Sequence, residues 1–111
     1  MTTSRNRVQL IGNLGRDPEI LNLDSGRKLA KFSLATNESY VNKKGERVVN
    51  TAWHNIIAWG KTAEIAEKFL SKGKEVMVIG KLTYNQYEAN NGEKKYFTQI
   101  ESNELQLLGS K

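Results

Sequence analysis

The stretch Thr51-Ala52-Trp53-His54-Asn55-Ile56-Ile57-Ala58-Trp59-Gly60-Lys61-Thr62-Ala63-Glu64-Ile65-Ala66-Glu67-Lys68-Phe69-Leu70-Ser71 decides the fold, because its hydrophobic period changes partway along. Up to Trp59 it alternates. Trp53, Asn55, Ile57 and Trp59 fall on one side of an extended chain, and Ala52, His54, Ile56 and Ala58 on the other. A period of two marks a half-buried β-strand. From Thr62 the spacing becomes four, with Ile65 stacked over Phe69 and Ala66 over Leu70, which predicts a short helix with one apolar stripe. Thr62 is the expected N-cap, Lys68 and Lys72 suit the negative end of the helix dipole, and Gly73 is the expected stop.

Working outward, four more segments alternate. Arg5 to Leu14 sets Val8, Leu10 and Leu14 against Arg7, Gln9 and Asn13, until Asp17-Pro18 breaks the strand. A turn is expected at Asp24-Ser25-Gly26, then a second strand over Leu29 to Thr36 with Ala30, Phe32 and Leu34 on one face. Asn42-Lys43-Lys44-Gly45-Glu46 reads as an exposed turn before the Thr51 to Trp59 strand. Beyond the helix, Glu75 to Tyr87 places Val76, Val78, Leu82 and Tyr84 opposite Lys81, Thr83, Asn85 and Tyr87. Asn90-Asn91-Gly92 signals a hairpin, since both residue types accept positive φ. Lys95 to Leu108 is the fifth strand, with a bulge expected near Ser102 to Glu104, where the alternation slips. Three strands, a helix and two strands give an all-β class: a five-stranded oligonucleotide/oligosaccharide-binding (OB) barrel with one α-helix between the third and fourth strands. The 111 residues have room for this one domain.

Charge and composition narrow the function. A net charge of +5 favours a polyanionic partner. With no cysteine there is no disulfide, thiolate metal site or cysteine nucleophile, and one histidine, His54, cannot build a histidine metal site by itself. No cofactor or metal is expected. No apolar run approaches the ~20 residues of a membrane span, and the N-terminus has no leader character, so a cytoplasmic protein without a membrane partner is expected.

The aromatic residues carry the functional signal. Burial is the usual fate of tryptophan, yet Trp53 and Trp59 share the side that carries Asn55, while smaller residues remain to fill a narrow interior. Tyr87 shares a polar side with Lys81, Thr83 and Asn85, and Tyr40 precedes the basic turn. Lys43, Lys44 and Arg47 lie in that turn, Lys61 follows Trp59 across Gly60, and Lys72 and Lys74 flank Gly73. Aromatic faces interleaved with cations are what single-stranded nucleic acid requires, because rings stack on bases while cations neutralise phosphates. The candidate stacking residues are therefore Tyr40, Trp53, Trp59 and Tyr87. The candidate phosphate ligands are Lys43, Lys44, Arg47, Lys61 and Lys72, with Lys61 ranked first.

Several runs carry a resemblance. They are Asn6-Arg7-Val8-Gln9-Leu10-Ile11-Gly12-Asn13-Leu14-Gly15-Arg16-Asp17-Pro18-Glu19, Leu34 to Tyr40, Thr51-Ala52-Trp53-His54, Trp59 to Glu64, Lys72 to Val76 and Gly80-Lys81-Leu82. Together, and in this order, they resemble the bacterial single-stranded DNA-binding protein (SSB) family. The resemblance implies an OB-fold subunit, a homotetramer, and sequence-tolerant binding and protection of single-stranded DNA in replication, recombination and repair in the nucleoid. The family's stacking positions fall on Tyr40, Trp53, Trp59 and Tyr87; many members carry tryptophan at the two tyrosines and phenylalanine at Trp59. Members also carry a flexible tail with an acidic tip that recruits replication and repair proteins. The sequence ends at Lys111 without it, so recruitment by that route is not expected of these residues.

Two other readings carry less. An accessory protein of the primosome type would need fewer stacking aromatics. A nuclease on the same barrel would need clustered carboxylates and an arginine around a metal, and Asp17 and Glu19 have no such partner set. His54 lies opposite the tryptophans and reads as a hydrogen-bonded structural residue rather than a general base. Gly12 and Gly15 are not followed by a helix, so they read as sites of a bend or close backbone approach and not as a phosphate loop.

Overall fold

The structure, a computed structural model, describes residues 5–108, with the side chain of Tyr87 outside the described set. The strands are β1 (Val8–Leu14), β2 (Glu19–Asn22), β3 (Lys28–Val41), β4 (Arg47–Trp59), β5 (Glu75–Glu88) and β6 (Lys94–Leu107), and helix α1 (Gly60–Phe69) lies between β4 and β5. The sheet runs β1-β5-β6-β4-β3-β2 and closes through a β1–β3 pairing. Five strands thus form the expected OB barrel, and β2 is an addition on its edge, bonded to β3 alone. The sequence reading treated Asp17-Pro18 as a break and passed over β2. Proline tolerates a position just before an edge strand, because no ladder donor is needed there.

Alternation set the inside correctly except at Tyr84, which is exposed. Leu14, Ala30, Phe32, Leu34, Ile56, Ala58, Val76, Val78 and Ile100 fill the barrel, and Ala63 and Ala66 of α1, with Leu70 at its C-cap, close one end. The helix differs from expectation. It begins at Gly60 with Trp59 in the cap position, not at Thr62, and it ends at Phe69, before Gly73. The buried side of α1 is Ala63 and Ala66, whose small side chains let the helix approach the barrel closely, while Ile65 and Phe69 stay exposed. Gly73 (φ 85°) instead forms the turn into β5, donating its N–H to the Leu14 carbonyl at 2.9 Å.

The three hairpins share one turn. In Leu23–Arg27, Asn42–Glu46 and Ala89–Glu93, the first residue's N–H bonds the last residue's carbonyl, and a glycine in fourth place adopts positive φ. This is the three-residue loop in which a type I turn is followed by a left-handed residue. Asn90 and Asn91 keep negative φ, so Gly92 alone takes the left-handed role. The expected bulge is present: Ile79 pairs with Glu104 but Gly80 with Ser102, which leaves Asn103 as the extra residue. Gly12 marks a close approach of two strands, since a Cβ there would collide with the Ala35 carbonyl of β3.

Candidate nucleic-acid interface

The outer face of the barrel follows from the ladder registers. Directly opposed residues share a face, and β3–β4 pairs Ala35 with Trp53, Ser33 with Asn55, Lys31 with Ile57 and Leu29 with Trp59. The parallel β4–β6 ladder sets Ile56 beside Ile100, both inside the barrel, and Ile57 beside Glu101, both outside. Gln99 and Phe97 therefore share the outer face with the tryptophans, followed on β5 by their partners Thr83 and Asn85.

Two adjoining clefts of about 450 and 480 Å³ run along this face. Lys31, Ile57, Phe97 and Gln99 line both. One extends past Arg16, Ser33 and Asn55, and the other past Trp59, Thr83 and Asn85. Trp53 lies just beyond Asn55 with 62% of its surface exposed, its ring lying where a side chain at Gly15 would be. A Cβ at Gly15 would come within 2.5 Å of that ring, so glycine is what lets Trp53 lie against the chain. Trp59 is half-buried, with the Arg27 guanidinium 4.5 Å from its ring centroid, a cation–π contact.

Hydrogen bonds fix the walls. Asn85 Nδ2 donates to Gln99 Oε1 at 2.8 Å, and Thr83 Oγ1 donates to the Gln99 backbone carbonyl. Of the three carboxylates that line the clefts, Glu101 is 3.4 Å from Lys81 Nζ, and Asp17 accepts the Lys72 backbone N–H at 2.8 Å. His54 is half-buried, its Nε2 3.0 Å from Thr36 Oγ1 on the other side of β4 from the tryptophans.

The other candidate residues are dispersed. Beyond the barrel, β3 and β4 continue as a two-stranded arm that carries Tyr40, Lys43, Lys44 and Arg47. Arg47 shares the alternation of Trp53 and donates to Ser39 Oγ at 3.3 Å. Tyr40, 52% exposed, pairs with Val48 and takes the opposite alternation, so the arm does not set it beside Trp53. Lys43 and Lys44 are exposed in the turn, Lys61 is exposed on the first turn of α1, and Lys72 lies in the turn before β5. None of these lysines lines the two clefts. Tyr87 pairs with Lys95 in the β5–β6 ladder, and its side chain is outside the described residues.

Sequence reasoning missed Lys31 and Phe97, which the registers bring to this face, and Arg16 and Arg27, which the connections after β1 and before β3 place at its edges. It also put Tyr84 on the interior side. Tyr84 is 74% exposed, because β5 and β6 run on as a second arm where no interior remains for that side to cover. Among the described residues, no group of three or more histidine, cysteine or acidic side chains could hold a metal ion, and no helix is long and apolar enough to cross a membrane.

Comparison with known proteins agrees with this geometry. The model of the single-strand binding protein family matches residues 5–108. The chain belongs to the single-strand binding protein family. Relatives within the family include the single-stranded DNA-binding protein 1 of Chlorobaculum tepidum, 41% identical over the whole chain, and a single-stranded DNA-binding protein of Xanthomonas campestris, 39% identical. The chain spans 69% of the first and 64% of the second. A solved structure described as a Plasmodium falciparum SSB complex with ssDNA superposes with a TM-score of 0.88 at 34% identity, covering 98% of this chain and 99% of that one.

Proposed function

We propose that the chain binds single-stranded DNA without base specificity and without catalysis, and so protects it during replication, recombination and repair. Bases stack on Tyr40, Trp53, Trp59 and Tyr87, and Lys43, Lys44, Arg47, Lys61 and Lys72 hold phosphates. The observation that carries the reading is Trp53, a tryptophan left mostly exposed on a polar outer face, six residues along one strand from Trp59. Leaving so much apolar ring in water is unfavourable in the free protein. A base laid on the ring reverses that and contributes roughly 1–3 kcal/mol.

The cations extend along the arm and past α1, so the strand follows a path longer than the barrel face. Because Tyr40 takes the other side of the arm from Trp53, a strand that meets both crosses the edge of the arm. Homotetrameric assembly belongs to the same reading and rests on family membership. The test is fluorescence anisotropy with labelled oligo(dT) and with a duplex of equal length at several salt concentrations. Affinity for oligo(dT) should fall linearly in log–log form with salt as counterions are released, and duplex should bind far more weakly. Equal affinity for the two would overturn the reading.

A further inference from the structure

We infer that a third cleft, which adjoins the groove at Trp59, is a further subsite for the DNA strand, with Arg27 its phosphate ligand. The inference rests on the DNA-binding reading above and carries the strand's path past the residues named there. The cleft, of about 440 Å³, is lined by Arg27, Trp59, Thr62, Glu101, Ser102 and Asn103. That volume falls within the ~300–1,000 Å³ of pockets that hold small molecules. Trp59 and Glu101 also line the adjoining part of the groove, whereas Arg27 and Asn103 line the third cleft alone. A base that reaches Trp59 along the groove therefore does not displace Arg27. A strand leaving the groove past Trp59 enters this cleft, and its phosphate charge has to be met there.

Arg27 is equipped for that contact. Its guanidinium lies 4.5 Å from the Trp59 ring centroid, held by the attraction of a cation for the face of the ring. Stacking uses the flat face of the guanidinium. Its N–H groups lie in the plane and stay available, in the fork that matches two phosphate oxygens. Among the described residues, no carboxylate pairs with Arg27 and no hydrogen bond uses its guanidinium, so its charge is uncompensated. The one carboxylate in the cleft, Glu101, is 3.4 Å from Lys81 Nζ and opposes an incoming phosphate less for that. Asn103 is the extra residue of the bulge, a feature that re-aims a side chain, and its amide is the second polar group a phosphate or base edge meets in the cleft. The Arg27 backbone is fixed as well, since its carbonyl accepts the Leu23 N–H at 2.9 Å in the hairpin turn. A cation held at both ends loses little entropy when the phosphate arrives.

The experiment measures oligo(dT) affinity by anisotropy across a salt series for wild type, Arg27→Gln, Arg27→Lys and Lys68→Gln, with a thermal melt of each. Lys68→Gln removes the same charge from an exposed position on the last turn of α1. One phosphate contact on a single strand contributes about 0.7 to the slope of log affinity against log salt. Arg27→Gln should lower the slope by that amount, which corresponds to binding about fivefold weaker at ~0.1 M salt. Arg27→Lys keeps the charge and should keep the slope. Lys68→Gln should change the slope far less than Arg27→Gln. If Arg27 instead shielded Trp59 from bases, Arg27→Gln would bind more tightly than wild type, and that result would overturn the inference. A slope change in Arg27→Gln no larger than that in Lys68→Gln would overturn it too, because net charge alone would then explain the effect. Failure of wild type to bind oligo(dT) would overturn the DNA-binding reading itself.

Discussion

Replacing Trp53 by alanine separates a ligand platform from a core residue. Trp53 is 62% exposed, so little more than a third of it is buried, on the order of 90 Å² of the ~250 Å² that a large aromatic can cover. At ~25 cal/mol per Å² the folded protein loses at most about 2 kcal/mol, an upper bound because the unfolded chain is itself partly compact. The ring rests on Gly15 rather than inside the barrel, so its removal opens no interior cavity and adds no cavity penalty. Binding should lose one stacked base, ~1–3 kcal/mol or about 5- to 150-fold in Kd. Urea denaturation gives the first quantity and oligo(dT) anisotropy the second. A stability loss above ~4 kcal/mol with DNA affinity intact would refute the reasoning, because it would make Trp53 a core residue.

Gly12→Ala should destabilise by about 3 kcal/mol or more, since its Cβ meets the Ala35 carbonyl where β1 closes the barrel, and a thermal melt near wild type would contradict the packing. Arg27→Ala should cost ~0.5–1 kcal/mol of stability and shift the Trp59 emission, read in the Trp53→Phe background, through loss of the cation–π contact. Lys28 has its pKa raised above the ordinary 10.5 by its hydrogen bond to Glu67 on α1, an effect that outweighs desolvation. The pair's stabilisation is therefore fully present below pH 10.5 and is lost as pH rises through the raised value. The gap in urea midpoint between wild type and Glu67→Gln should accordingly narrow in strong alkali, and a gap that widened there would reverse the sign of the argument.

Much of the site was legible because alternation reports which side of a strand a residue takes. That is how Trp53 and Trp59 were separated from Ile56 and Ala58, and how the slip at Ser102 to Glu104 disclosed the bulge at Asn103. Alternation does not report how far a strand outruns the core. Tyr84 has the parity of Val76 and Val78, yet lies where β5 has left the barrel and there is no inside. Nor does it report which strands are neighbours. Phe97 and Lys31 lie far apart in sequence and meet only because β6 runs parallel to β4 while β3 pairs on its other side. The four-residue β2 was lost because a proline before an edge strand gives the same local signal as a proline in a loop.

The central claim, that bases stack on these rings, is tested most directly by intrinsic fluorescence. The chain has two tryptophans, so Trp59→Phe keeps an aromatic ring at that position and leaves Trp53 as the sole emitter. On titration with oligo(dT), the account predicts strong quenching that saturates with binding measured independently by anisotropy, and that reverses on adding salt as phosphate contacts are released. Full binding by anisotropy with Trp53 emission unchanged would contradict it.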